Sequence, residues 1–156
     1  MIEIAIPGAK TLRLSTAIVD FNGTLARDGR LHDGVADRLR ALAQQLAIHV
    51  VTADTTRTAR ASLEGLPVQV HIVQDTGQTA AKRAFLEACD SQQVVAIGNG
   101  RNDEALLDAA ELSIVVIGDE GCSAKTLAVA DIACTNILDA LDLLLIPTRL
   151  IATLRS

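Results

Sequence analysis

The chain has 156 residues and a formal net charge of -5, with 14 Lys and Arg against 19 Asp and Glu. It has no Trp, no Tyr and two Phe, so aliphatic side chains must form the core, and the aromatic platforms that single-stranded nucleic acids stack on are missing. The charge balance also argues against a nucleic-acid partner. Length and composition predict one domain, residues 1–156, large enough to bury most of its apolar surface.

Apolar runs of strand length alternate with longer segments of helical period, the pattern typical of a parallel sheet covered on both faces. An N-terminal β-hairpin is predicted first, at residues 2–6 and 11–14 around Pro7-Gly8. Strands are then predicted at residues 16–20, 48–52, 69–73, 93–97, 113–117 and 131–134. Helices are predicted at residues 34–46, 56–63, 78–89, 102–110, 122–129 and 137–145. The predicted fold class is α/β, a three-layer Rossmann-like sheet.

The C-terminal segment is apolar, but charged residues and Pro147 interrupt it, which argues against a membrane span. The N-terminus lacks the charged and apolar regions of a signal peptide. The three cysteines show no metal-binding spacing and are interpreted as reduced side chains: Cys89, Cys122 and Cys134. We therefore expect a cytoplasmic protein without a membrane partner.

Asp20 is a carboxylate at the end of an apolar strand, and it opens the run Asp20-Phe21-Asn22-Gly23-Thr24. In an open α/β sheet, ligands bind outside the carboxyl ends of the strands, so this side chain is expected to face a crevice. An aspartate in that place can act as a nucleophile toward phosphorus. The alternative is a strand-end turn, in which Asp20 and Asn22 satisfy nearby backbone groups.

Three later segments also place polar residues beside predicted strands or helices. Thr52 closes the apolar run at residues 48–51, and Lys82 lies on the predicted helix at residues 78–89, beside Arg83. The run Gly98-Asn99-Gly100-Arg101-Asn102-Asp103 follows a strand, and its glycines let the backbone approach a ligand closely. Asp103 then falls at a helix N-terminus, where it can cap backbone amides or reach a metal and Lys82.

In this order and spacing, the four segments resemble the motifs of the haloacid dehalogenase superfamily of aspartate-nucleophile phosphohydrolases, and most of all the soluble relatives of P-type ATPases. The resemblance implies that Asp20 is the nucleophile, and that Thr52 and Lys82 hold the transferring oxygens. It implies Mg²⁺ as the cofactor, with four candidate ligands: Asp20, the backbone carbonyl of Asn22, Asn99 and Asp103. The residues expected to contact a small phosphorylated substrate are Gly23, Thr24, Ala53 and Asn102.

Superfamily members commonly carry a cap domain over the site, but the segments between the motifs are too short here to hold one. The turn at residues 26–30 is expected to form a small flap, with Arg27 and Arg30 as substrate contacts or as solvated loop charges. A site without a cap is open to water unless a neighbouring subunit or a large substrate covers it. The apolar tail at residues 150–154 is therefore expected to dock on its own domain or on a neighbouring subunit of a homo-oligomer.

Two amides depart from the superfamily pattern. Asn22 stands where most of its phosphatases carry a general acid and base, and loss of such a group typically costs ~10²–10⁴-fold in rate. Asn99 stands where a metal-binding Asp is usual, which predicts weak Mg²⁺ binding. We expect a magnesium-dependent phosphoryl-aspartate hydrolase that acts as a slow phosphomonoesterase. One alternative is a non-catalytic module that binds phosphate, nucleotide or a protein through the same crevice. Another is a subunit that works with a separate membrane or metabolic protein, which only the resemblance to transport ATPases supports.

Overall fold

A computed structural model describes residues 1–53, 57–74 and 76–156 of the chain. The strands, in chain order, are β1 (Ile2–Ala5), β2 (Thr11–Leu14), β3 (Thr16–Val19), β4 (Ala26–Arg27), β5 (Arg30–Leu31), β6 (Ala47–Thr52), β7 (Gln69–Ile72), β8 (Val94–Gly98), β9 (Leu112–Val116) and β10 (Ile132–Cys134). The α-helices are α1 (Val35–Leu42), α2 (Ala59–Ser62), α3 (Gln78–Glu87), α4 (Glu104–Ala109), α5 (Ala124–Val129), α6 (Ile137–Leu145) and α7 (Pro147–Leu154).

The main sheet has six strands in the order β10-β9-β8-β3-β6-β7, and all neighbouring pairs are parallel. Every residue of β8 and β9 is buried, because helices cover both faces of the sheet. The chain enters the sheet at β3, continues to β6 and β7 on one side, and then returns to β8 on the other side. The order therefore switches beside β3, which is where open α/β sheets form their ligand crevice.

Two apolar clusters lie on opposite faces of the sheet. One contains the β1–β2 hairpin together with buried residues of α1, α6 and α7, such as Leu39, Leu141 and Leu150. The other contains residues of α3 and α4, such as Leu86 and Leu106. The alternation of side chains along each central strand supplies both clusters at once. These layers and the N-terminal hairpin confirm the predicted three-layer α/β fold.

The predicted main-sheet strands are each found within one residue of their observed bounds, whereas the helices differ more at their ends. Helix α1 ends at Leu42 instead of residue 46, because Ala43 to Leu46 close the helix with turn hydrogen bonds. The predicted helix at residues 102–110 begins as a 3₁₀ turn over Arg101–Asp103 before α4. The predicted helix at residues 56–63 corresponds to α2, and its first predicted residue lies outside the described residues.

Helix α7 is absent from the sequence-based prediction. Pro147 occupies its first turn, where the missing backbone N–H of proline would have had no helical partner. Leu150 is fully buried, and Ile151 and Leu154 pack against the same apolar cluster as the β1–β2 hairpin. The apolar tail therefore docks on its own domain, one of the two expected outcomes.

A short antiparallel hairpin, β4–β5, forms the predicted flap between β3 and α1. Asp28 and Gly29 at its tip both have positive φ, 51° and 76°, as a tight two-residue hairpin turn requires. Between Asp20 and Thr52 the chain folds into this flap, α1 and β6, with no cap domain in this fully described range. Within the described ranges, no helix has the length and apolar character needed to cross a membrane.

Candidate active site

A buried lysine lies between two carboxylates at the carboxyl edge of the main sheet. The Lys82 Nζ donates to Asp20 Oδ1 at 2.5 Å and to Asp103 Oδ1 at 2.6 Å. Lys82 and Asp103 are 0% exposed and Asp20 is 6% exposed. A charge at such depth is tolerated because it is paired and hydrogen-bonded. We call these three side chains the buried centre.

Three elements bring the buried centre together. Asp20 directly follows β3, and its backbone N–H donates to the Ile97 carbonyl of β8 at 2.9 Å. Lys82 comes from the middle of α3, and Asp103 from the turn that opens α4. The sequence prediction preferred Lys82 to its neighbour Arg83, and the structure places Lys82 inside while the Arg83 side chain is 39% exposed.

The second oxygen of Asp103 organises the loop after β8. Its Oδ2 accepts hydrogen bonds from the backbone N–H groups of Asn99 and Gly100, both at 3.0 Å. A Cβ on Gly98 would lie 2.5 Å from Asp103 Cγ, so glycine is required for this close approach. Asp103 thus fills the capping and lysine-binding roles that the sequence allowed for it.

Burial and the neighbouring charges set the protonation of the centre. Burial, followed by repulsion from Asp103, raises the pKa of Asp20 to about 7, against the opposing effect of the Lys82 ammonium. Burial also acts to lower the pKa of Lys82, but the Asp20 and Asp103 carboxylates outweigh it and the pKa is raised. Lys82 therefore stays charged, and with both carboxylates ionised the centre has an excess of one negative charge.

A cleft of about 230 Å³ opens beside the buried centre. It is lined by the side chains and backbone of Asp20, Asn22, Thr52, Ala53, Gln78, Asn99, Gly100, Asn102 and Glu120. Asn102 Nδ2 donates to Gln78 Oε1 at 2.6 Å, which joins the starts of α3 and α4 across the cleft wall. We call this space the catalytic cleft.

Of the four residues expected to contact substrate, Ala53 and Asn102 line the catalytic cleft, whereas Gly23 and Thr24 do not. Thr24 is buried, with its Oγ1 3.2 Å from Asn99 Oδ1 and 3.4 Å from Asp20 Oδ2. Gly23 and Thr24 instead border a second cavity of about 270 Å³. Thr24 is therefore placed to fix the side chains of Asp20 and Asn99.

Gly23 allows the loop after β3 to pass very close to two side chains. Its φ is +77°, and a Cβ at this position would lie 2.4 Å from Asn99 Nδ2 and 2.8 Å from Glu120 Oε2. Any other residue would be strained by the backbone angle and would collide with both groups.

Sequence reasoning missed Gln78 and Glu120, which both line the cleft. Glu120 lies in a tight turn closed by the Gly121 N–H, which donates to the Gly118 carbonyl at 2.9 Å. A usable signal was present, because an acidic pair between two glycines follows the predicted strand at residues 113–117. That strand ends at the same edge of the sheet as β3 and β8.

The flap arginines have other surroundings than the expected substrate contacts. Arg27 Nη1 donates to Asp119 Oδ2 at 2.9 Å, which ties the flap to the turn at residues 118–121. Neither Arg27 nor Arg30 is among the described residues that line the catalytic cleft. Their contact with a substrate stays a prediction.

The cleft offers oxygen donors that suit Mg²⁺. Within residues 1–53, 57–74 and 76–156, no group of three or more His, Cys, Asp or Glu is placed to hold a metal ion. Mg²⁺, however, commonly binds through one or two carboxylates and keeps several waters, and the cleft lining contains Asp20, Glu120 and the amide of Asn99. Asp103 does not line the cleft, since Lys82 and two backbone amides occupy both of its oxygens.

No family model matches the chain. Two proteins of Methanocaldococcus jannaschii, both described as uncharacterized, are similar to it in sequence. One is 55% identical over 65 residues, which cover 42% of this chain and 70% of that protein. The other is 41% identical over 39 residues, which cover 25% of this chain and 89% of that protein.

Solved structures resemble the chain over most of its length. The 3-deoxy-D-manno-octulosonate 8-phosphate phosphatase of Moraxella catarrhalis, in complex with magnesium, phosphate and KDO, matches with a TM-score of 0.71 and 18% identity over 91% of this chain and 94% of that chain. The cobalt-bound deoxy-D-mannose-octulosonate 8-phosphate phosphatase of Haemophilus influenzae matches with a TM-score of 0.70 and 14% identity, over 85% of this chain and 88% of that chain. A Legionella pneumophila chain, described as a putative haloacid dehalogenase superfamily hydrolase of subfamily III A, matches with a TM-score of 0.71 and 15% identity. The match covers 90% of this chain and 86% of that chain. These likenesses confirm the predicted fold.

Proposed function

We propose that this chain hydrolyses phosphate monoesters through an aspartyl phosphate on Asp20. The chain belongs to the same family as the first of the M. jannaschii proteins, and it has the fold of haloacid dehalogenase phosphatases. The observation that carries the proposal is the buried centre. Asp20 lies at the strand edge, at the wall of a cleft, and a buried lysine holds one of its oxygens. A carboxylate fixed in this way is oriented for in-line attack on a phosphoryl group.

In the first proposed step, an Asp20 carboxylate oxygen attacks phosphorus, the O–P bond forms, and the ester P–O bond breaks. Lys82 holds Oδ1 and so fixes the attack direction, while the Thr52 hydroxyl and the Asn102 amide lie in the cleft where the phosphoryl oxygens would sit. Mg²⁺, when bound by Asp20, the Asn22 carbonyl and Asn99, supplies positive charge that offsets the charge on those oxygens. We propose that Asp103 acts through Lys82 and does not bind the cation.

In the second proposed step, a water attacks the phosphorus, and the P–O bond to Asp20 breaks to release phosphate. Asn22 lines the cleft where superfamily phosphatases carry an acid, and an amide neither gives a proton to the leaving group nor takes one from the water. The alkoxide that departs in the first step must take its proton from solvent, and the water that attacks in the second step must release its proton to solvent. We therefore propose slow turnover and a preference for esters with good leaving groups.

The proposed substrate is a small phosphorylated molecule. A cleft of about 230 Å³ without a cap in residues 20–52 admits a phosphate group and leaves the rest of the substrate outside. The M. catarrhalis phosphatase was crystallised with magnesium, phosphate and a sugar acid, which supports a phosphate ester and Mg²⁺ here. A single domain at residues 1–156, a cytoplasmic location, kinship with P-type ATPases and a homo-oligomer stay predictions from the sequence.

A screen of phosphate esters with Mg²⁺ tests the proposal. We expect Asp20→Asn to abolish hydrolysis without loss of the folded state, because the nucleophile is removed but the hydrogen bond to Lys82 can be kept. Asp28→Asn, at the exposed tip of the flap, is the matched control and should retain full activity. Equal activity in the wild-type and Asp20→Asn proteins would exclude Asp20 as the nucleophile.

The second candidate function is a non-catalytic module that binds phosphate or a nucleotide in the same cleft. Asn22 and Asn99 favour it, because the two amides remove an acid and a metal-binding carboxylate together. Calorimetric binding of inorganic phosphate or a nucleotide, with no release of phosphate from any ester in the screen, would support this second function over the first.

A further inference from the structure

We infer that Glu120 supplies the second carboxylate for the divalent cation of the catalytic cleft, in place of the carboxylate that position 99 lacks. The inference rests on the proposed function and adds a residue to its site. Glu120 lies after β9, outside all four segments that resemble the superfamily motifs. Three features support the role of Glu120: the attachment of its turn, the convergence of its side chain on Gly23, and the charge of the cleft.

The turn at residues 118–121 is attached to Asn99. The Asn99 Nδ2 donates to the Gly121 carbonyl at 3.4 Å, and the Asn99 carbonyl accepts from the Ser123 N–H at 2.9 Å. An aspartate at position 99 has no N–H to donate and would set a negative oxygen against the Gly121 carbonyl. The side-chain amide at position 99 therefore adds one hydrogen bond, beside the main-chain bond from Ser123, to the attachment of the turn that carries Glu120.

The Glu120 carboxylate converges with Asn99 on the loop of the nucleophile. Gly23 has no side chain, and a Cβ there would be 2.8 Å from Glu120 Oε2 and 2.4 Å from Asn99 Nδ2. Of the described residues that line the catalytic cleft, Asp20 and Glu120 are the two carboxylates. No described residue forms an ion pair with Glu120, so its charge is available to a cation.

The charge of the cleft is the third feature. Lys82 balances one of the two carboxylates of the buried centre, and Glu120 adds a further negative charge at the cleft wall. With Asp20 ionised, the excess of negative charge equals that of a divalent cation. A phosphate dianion would be repelled from this cleft unless a cation is present. Asn99 and Glu120 thus act together: the Asn99 amide bonds the turn, and Glu120 in that turn supplies the negative charge that an aspartate at position 99 would have supplied.

Isothermal titration calorimetry with MgCl₂ on the full chain tests the inference, together with the rise of the unfolding temperature that Mg²⁺ produces. We expect Glu120→Gln to weaken Mg²⁺ binding by about 10-fold or more, because ligand charge sets the affinity of such sites. Asp119→Asn is the matched control. It removes the same charge from the same turn, but Asp119 does not line the catalytic cleft, and its Mg²⁺ affinity should stay within about 2-fold of wild type.

The double variant Glu120→Gln with Asn99→Asp puts a carboxylate back on the other side of Gly23, and we expect it to regain Mg²⁺ affinity. Unchanged affinity in Glu120→Gln, an equal loss in Asp119→Asn, or no recovery in the double variant would overturn the role of Glu120. Wild-type protein that hydrolyses esters without binding Mg²⁺ would also overturn it but would leave the phosphatase intact. Wild-type protein that binds Mg²⁺ through Glu120 without hydrolysis would uphold it and exclude the phosphatase.

Discussion

The buried centre and the rim of the catalytic cleft are built in opposite ways. In the centre, Lys82 is fully enclosed and each Asp103 oxygen has a defined donor. At the rim, the charged side chains of the flap and of the turn at residues 118–121 are exposed, and the Arg27–Asp119 ion pair joins the two segments. The difference teaches that Asp20, the proposed nucleophile, is fixed from inside the fold, whereas the exposed groups of the rim can change at little cost to stability.

The largest expected effect is on the centre itself. Lys82→Met removes the charge that both Asp20 and Asp103 face, and breaking a buried pair from one side typically costs ~3–5 kcal/mol of unfolding free energy. Arg83→Met, the next residue on α3, removes an exposed pair with Glu87 and should cost at most about 1 kcal/mol. Urea unfolding of the three proteins measures both values. Similar losses for the two variants would show that the centre is not energetically distinct from the surface.

The second expected effect concerns catalysis at the cleft wall. Asn22→Asp supplies an acid and base, so we expect hydrolysis of unactivated alkyl phosphates to rise by up to ~10²-fold. Aryl phosphates with good leaving groups need less protonation and should gain less. The ratio of the two rates in wild-type and variant protein is the measurement. A folded variant with unchanged rates for both ester classes would remove Asn22 as the cause of slow turnover.

The third prediction concerns two partly buried histidines, which differ from Lys82 because no carboxylate is among their described contacts. Their pKa values are therefore lowered, whereas that of Lys82 is raised. His49 Nδ1 and His71 Nε2 are 3.0 Å apart, and both rings pack on Phe85. Burial, and then the neighbouring charge of His71 or Arg60, lowers the pKa of each ring. Because both pKa values are lower in the folded protein, the unfolded chain binds protons first. The stabilisation is complete above about pH 6.5 and decreases as the pH falls through the folded values.

We therefore expect wild-type protein to lose more unfolding free energy than His71→Gln when the pH is lowered from 7.5 to 5.5. The same change of pH protonates Asp20 in both proteins, so the difference between them isolates the histidine pair. Parallel pH dependence in the two proteins would mean that the pair does not titrate on unfolding.

The smallest expected effect is at the rim. Arg27→Ala breaks the ion pair between the flap and the turn, and exposed pairs of this kind contribute about 0–1 kcal/mol. We expect the unfolding free energy measured in urea to fall by less than about 1 kcal/mol, and the Mg²⁺ affinity to stay almost unchanged. A loss comparable to that of Lys82→Met would show that the flap and the turn form part of the structural core.

The sequence predicted the sheet well because each central strand is an apolar run that ends in a polar or glycine residue. Val94–Gly98 is the clearest case. Helix α7 is absent from the prediction because a proline within an apolar segment indicates an interruption, whereas Pro147 is the first residue of the helix. Periodicity also does not show that Ala43 to Leu46 leave the helical path after α1.

The places of Lys82 and Asp103 could be predicted from the order of elements along the chain. Lys82 lies on the helix before the strand that ends at Gly98, and Asp103 lies at the start of the helix after that strand. The acidic pair between two glycines marks a turn after β9, but which of its two carboxylates reaches the cleft depends on how the turn packs against Gly23 and Asn99. The metal role expected for Asp103 stays a prediction, but burial favours the lysine role that we propose, because the carboxylate contacts Lys82 and two backbone amides. Contacts between loops of different strands are set by the tertiary structure and leave little trace in local sequence.

The hydrogen bonds around the loop after β8 also determine how this protein ages. Asn22-Gly23 and Asn99-Gly100 are Asn-Gly pairs, in which deamidation proceeds when the glycine nitrogen attacks the asparagine side chain. Here the Gly100 N–H is bound to Asp103 Oδ2 at 3.0 Å, and the Gly23 N–H donates to the Ala26 carbonyl at 2.8 Å. The folded chain therefore keeps both nucleophilic nitrogens engaged and preserves its amides. Prolonged unfolding would convert them to acids, so any activity of heat-treated and refolded samples would belong to a chemically different protein.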